Sequence, residues 1–217
     1  MQRLVNAGFA VLLLPFCIGS FRALLRVIGE TGQADSVWVP LAAGATCWCV
    51  VYLLLPKPMW AYVFGHELTH AVWAWAFGGR VTKFKATSAN GHVTLTRSNF
   101  LIVLAPYFFP IYAVLVLLTY GVLQLFFDIR PHVVWFHLLI GGAYAFHFTL
   151  TWRVLQTHQS DIARSGYLFS AAVIWFGNII VLLIAIPLLT GRASVFTALG
   201  LCWIETGKVI RQISHWI

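Results

Sequence analysis

Charge is what this chain has least of. Asp, Glu, Lys and Arg make up 9% of its 217 residues, against about 25% in a soluble domain. Hydrophobic residues make up 60%, and the mean hydropathy is +0.85. That balance excludes an ordinary soluble globular protein and predicts an integral membrane domain. Cysteine is also sparse. Cys17, Cys47, Cys49 and Cys202 lie in or beside apolar runs and form no C-x-x-C pair, so they read as small hydrophobes rather than disulfide or zinc ligands. No repeat of 20 to 50 residues is visible. No small-residue cleavage site follows Arg3 and the first apolar run, so that run is expected to stay as an anchor.

What charge there is carries a sign, +8 at neutral pH. In a soluble protein this would suggest nucleic acid. Here Lys and Arg fall in the short connections between apolar runs, where they set orientation and meet anionic headgroups. Lipid is the expected partner and nucleic acid is not.

Against this background His66-Glu67-Leu68-Thr69-His70 stands out, because each ionisable group at membrane depth costs roughly 2.5–3.5 kcal/mol. A bound metal ion is the simplest compensation. On a helix, positions 66 and 70 share a face, so two imidazoles can hold one Zn²⁺ while Glu67, about 100° round, reaches an attached water as general base. Eight His and three Glu in 217 residues would produce this pattern by chance only about 0.004 times. The bland alternative is a pair of histidines packed between helices.

The long apolar runs are Leu4–Phe21, Val37–Leu55, Met59–Phe77, Phe100–Phe127, Val133–Trp152 and Tyr167–Leu189, each able to cross roughly 30 Å of hydrocarbon. They predict an all-α polytopic membrane protein with about six transmembrane helices, as one integral domain over 1–217. Within it, 1–55 forms two N-terminal spans and 59–190 the metal-binding core. The segment 193–217 is an amphipathic tail or an extra span, with Glu205, Lys208 and Arg211 set among Val195, Leu199, Trp203, Ile210 and Trp216. The one β-like stretch directly follows the motif. Val81–Thr87 and His92–Thr96 flank Asn90-Gly91, a strong hairpin signal.

Two histidines leave a catalytic zinc one protein ligand short. Alternate crossing of the spans puts Asp161 on the hairpin side and Asp128 on the other, which favours Asp161 as the third metal ligand. His158, His147 and Glu205 remain competitors, and Asp161 could instead cap the final span. Pro106 and Pro110 interrupt the fourth run, either as a kink or to open a water-filled cavity near the metal. Asn178 could bond a substrate backbone or join helices. Gly141, Gly142, Ala143 and Ala145 read as a close-packing face. His92, His132, His137 and His215 receive no role, and Trp60, Trp135 and Trp152 read as interfacial belts.

His66-Glu67-x-x-His70 on a hydrophobic helix, Ala76-Phe-Gly-Gly-Arg-Val81, a short hairpin, a proline-interrupted span and His158-Gln-Ser-Asp161 together resemble the site-2 protease family of intramembrane zinc metalloproteases. The likeness is to its compact branch lacking PDZ domains, and it covers roughly Met59 to Asn178. It implies that His66, His70 and Asp161 hold Zn²⁺ and that Glu67 is the catalytic base. Substrate would be unwound against the hairpin around Val81, Lys83, Phe84, Val93 and Leu95, with Asn178 nearby. The family's better-known members carry their aspartate in an Asn-Pro-x-x-Asp-Gly setting, whereas here it is Ser160-Asp161-Ile162.

The resemblance implies a multi-pass protein of a bacterial inner or plasma membrane that hydrolyses transmembrane or membrane-anchored proteins. A regulatory membrane partner also fits. Lys and Arg are in excess on the hairpin side, eight (Arg22, Arg26, Arg80, Lys83, Lys85, Arg97, Arg153 and Arg164) against three (Arg3, Lys57 and Arg130) without the tail. This turns the site toward the cytoplasm. The rival reading is a non-proteolytic membrane scaffold or adaptor that keeps a structural zinc.

Overall fold

The structure is a computed structural model that describes residues 2–88 and 90–215. Met1, Ala89, the tail's Trp216 and Ile217 lie outside the described residues, as do the side chains of residues 2–4, Arg3 included. The chain is mostly helical and divides into two compact units, Met1–Asp35 with Ser160–Ile217, and Ser36–Gln159. The first two apolar runs belong to different units.

The first unit contains α1 (Gln2–Thr31), α7 (Ser160–Ser165), α8 (Tyr167–Thr190) and α9 (Val195–Ser214). Gly191, at φ 61°, closes α8 in the left-handed conformation, and the Ser194 hydroxyl accepts from Phe196 N–H to start α9. α1 lies against both long helices. A side chain at Gly19 would overlap Thr206 of α9, and Cys17 Sγ meets the Ala172 carbonyl of α8 at 3.5 Å. The tail helix α9 is inverted relative to a soluble amphipathic helix. Its buried face carries Glu205 and Thr206, while Phe196 (87% exposed) and Trp203 (73%) point outward. Glu205 receives Arg26 at 3.1 Å and Lys208 at 2.7 Å. Asn6 donates to the Ser165 carbonyl at 2.7 Å, so the first turns of α1 lie beside the end of α7. Strict alternation of six crossings would set them on opposite faces.

The second unit holds α2 (Asp35–Leu54), α3 (Met59–Ala76), β1 (Val81–Ala86), β2 (Gly91–Leu95), α4 (Phe100–Leu104), α5 (Ile111–Phe126) and α6 (Val133–Leu155). α2 and α6 touch backbone to backbone. A Cβ at Gly44 would meet the Leu138 carbonyl, and one at Gly141 would meet that of Leu41. The close-packing face read from Gly141 and its neighbours is present, and Trp48 seals it by donating to Thr149 Oγ1 at 2.9 Å.

Among the described residues, four helices are long and apolar enough to cross a membrane, within Val5–Thr31, Asp35–Leu54, Arg130–Leu155 and Tyr167–Thr190. This differs from the expected six for two physical reasons. α3 has only 18 residues, and its own His-Glu-His sequence dilutes its hydropathy. The fourth apolar run is not one rod: Phe100–Tyr107 and Ile111–Phe126 meet at 84°, with Pro106 inside a 3₁₀ turn and Pro110 at the start of α5. If this bent pair makes one crossing, the count is five.

Candidate metal centre

The motif helix ends where its glycines dictate. Gly78, at φ 70°, follows the last turn of α3; its N–H bonds the Trp75 carbonyl, and Gly79 N–H bonds that of Ala74 at 2.7 Å. This paired closure of a helix C-terminus turns the chain straight into β1, and Arg97 Nη1 clamps the turn on the Phe77 carbonyl at 3.1 Å. The hairpin is thereby returned along α3.

The hairpin is antiparallel, with Phe84 opposite Val93 and Ala86 opposite Gly91, and a bulge between Val81 and Lys83. The predicted hairpin exists, but its turn differs from the one Asn90-Gly91 suggests. Strand pairing already begins at Gly91, and Thr87 closes the connection through bonds with Asn90. Gly91 does not have positive φ. Its lack of a side chain serves another end, because a Cβ there would overlap the Glu67 carboxylate and Val63. Phe84 packs edge-on to Phe64 of α3 at 5.7 Å. Of the residues expected to bind substrate, Val81, Lys83, Phe84, Val93 and Leu95 therefore share this hairpin. Asn178 belongs to α8 in the other unit, where its Nδ2 donates to the Ile174 carbonyl at 2.9 Å.

On α3 the His66 and His70 rings stand 4.9 Å apart. His70 and Glu67 are both 8% exposed. His70 Nδ1 lies 2.8 Å from the Ile102 carbonyl. A carbonyl can only accept, so Nδ1 carries the proton and Nε2 keeps its lone pair for a cation. The Ile102 carbonyl is fixed in turn, because Asn99 caps α4 by accepting from Ile102 N–H at 2.9 Å. Tyr107, 1% exposed, lies edge-on to His66 at 5.3 Å. Neither Ile102 nor Tyr107 could be found from sequence, since one acts through its backbone and the other is a tyrosine in an aromatic run.

Beside the motif lies a small, partly open cavity. Tyr62, His66, Thr69, Pro106, Tyr112 and His147 are among its lining. The broken helix bends as its prolines suggest, and Pro106 is among the residues that border the cavity. Gly65 permits the approach of α5, since a side chain there would strike the Tyr112 ring.

The other third-ligand candidates fall as follows. His158 is exposed in the loop after α6, and His147 is buried in α6. Glu205 is engaged by Arg26 and Lys208. Asp161 sits in the first turn of α7. It does not cap the final predicted span, α8, whose N-cap is Gly166 at φ 94°.

No family model matches this chain, and no match was found among curated proteins or solved structures.

Proposed function

We propose that the chain is an intramembrane zinc endopeptidase of the site-2 protease type, acting on transmembrane or membrane-anchored proteins. The observation that carries this reading is the motif's local preparation. Two adjacent imidazoles, one of them locked by Ile102 with Nε2 available, share a helix with a buried carboxylate beside a cavity.

The donor set suits a divalent cation that favours nitrogen and oxygen ligands. For the third ligand the reading takes Asp161, supported by chain connectivity. Tyr107, packed on His66, donates to Gln159 Oε1 at 3.5 Å, and two residues of chain span at most about 7 Å. On this reading His66, His70 and Asp161 would share the ion.

A zinc ion held there would polarise the attacking water and the scissile carbonyl. The chain's own residues do the rest. Glu67 accepts a proton from the water as its oxygen bonds the carbonyl carbon, then delivers that proton to the amide nitrogen as the C–N bond breaks. A helical peptide bond is shielded by its own hydrogen bonds, so it must be extended first. The unpaired edges of the two-stranded hairpin suit strand addition by an unwound segment. Arg80, Lys83, Lys85, Arg97, Arg153 and Arg164, against Lys57 and Arg130, support a cytoplasmic hairpin even without α1.

The test is the Glu67→Gln variant of the detergent-purified chain. It should retain about one zinc per molecule and lose hydrolysis by at least 100-fold. Undiminished cleavage would refute the assigned base.

A further inference from the structure

One polar group in the cavity has no part in the chemistry above. His147, 7% exposed on α6, lines the same cavity as His66, and its Nε2 is enclosed with no hydrogen-bond partner among the described residues. Buried polar atoms are almost always paired. An enclosed imidazole nitrogen is costly to keep unless something completes it. The cavity has room for about one oxygen-sized group.

Resting on the hydrolase reading, we propose that His147 is a catalytic residue that donates a hydrogen bond from Nε2 to the oxygen of the scissile carbonyl. The peptide oxygen would enter the cavity between His66 and His147 and gain negative charge as water adds to its carbon. With its proton on Nε2, the neutral imidazole would stabilise that charge without transferring a proton, so the proton path through Glu67 is unchanged. Two features favour a donor over another metal ligand. Among the described residues His147 is not grouped with His66 and His70 as a metal-holding set. Its aromatic surroundings exclude the competing water that would weaken a hydrogen bond to substrate.

The experiment uses full-length protein in detergent with fluorescently labelled casein, an unfolded substrate that needs no helix unwinding. Four proteins are compared: wild type, Glu67→Gln, His147→Phe, which keeps a ring but no donor, and His147→Gln, whose amide N–H reaches about where Nε2 stood. Turnover, KM and zinc stoichiometry are read for each. His147→Phe should lower kcat about 100-fold, with KM and zinc content within 2-fold of wild type, and His147→Gln should recover at least 10-fold of that loss. Wild-type kcat in His147→Phe would overturn the proposal, as would loss of zinc from both His147 variants, which would make the residue a ligand. If His147→Phe does not fold, His147→Gln decides, since its zinc must be kept and its kcat must fall between wild type and Glu67→Gln. Failure of the underlying reading looks different: a zinc-loaded wild type no more active than Glu67→Gln.

Discussion

Gly91 has no side chain because Glu67 occupies the space that one would need. The hairpin and the Glu67 carboxylate therefore touch, and the position of one constrains the other. Gly91→Ala should displace the carboxylate and reduce hydrolysis at least 10-fold while zinc content stays the same. Parallel activity and metal assays check this, and full activity would show that the carboxylate has room to move. At Asp161 the expectation concerns the metal. Asp161→Ala should weaken zinc retention 10-fold or more in a chelator competition, whereas the same change at exposed His158 should leave it intact. The sequence carried these roles unevenly. His66, Glu67 and His70 declare themselves by spacing alone, since one helical turn fixes their relation. Gly91 gave a true signal for the wrong reason: the residue that looked like a turn glycine is needed for close approach.

At the scale of elements, small residues decide where helices can meet. Gly44 and Gly141 let α2 and α6 approach to backbone contact. Gly141→Leu should therefore destabilise the folded protein by about 1–3 kcal/mol through overpacking, seen as a lower thermal midpoint in detergent. Gly121→Leu is the matched control. Nothing lies within 4 Å of a Cβ at Gly121, and its midpoint should barely move. The broken element Phe100–Phe126 shows what composition hides. Its apolar run promised one continuous span, but proline geometry turned it through 84° and so freed a short helix, α4, whose Ile102 carbonyl orients His70.

Across the whole molecule, ionisable groups are so few that each engaged pair matters. In the first unit Glu205 sits between Lys208 and Arg26. The bond from Lys208, first, and the charges of Arg26, Lys208 and Arg22 hold its carboxyl below the ordinary glutamate value of 4.5. A carboxyl with a lowered folded-state pKa stabilises the fold above its unfolded value, and that contribution is lost as pH falls through the folded value. Stability measured from neutral pH to pH 3 should therefore drop below about pH 4.5 in wild type, and less steeply in Glu205→Gln, which starts lower. Identical pH profiles would mean that this trio is not thermodynamically coupled to folding.

By itself the sequence determined the helical, membrane-suited character of the chain, the hairpin after α3 and the one-turn spacing of His66 and His70 around Glu67. All three depend on composition or on contacts within a few residues, which hydropathy and helical period report directly. The tertiary structure alone decided that α1 belongs with α8 and α9, that the fourth apolar run is bent, that Ile102 fixes the tautomer of His70, and that Gly91 and His147 come to the motif. Those outcomes rest on backbone carbonyls, missing side chains and contacts between residues far apart in the chain, none of which leaves a periodic mark in the order of amino acids.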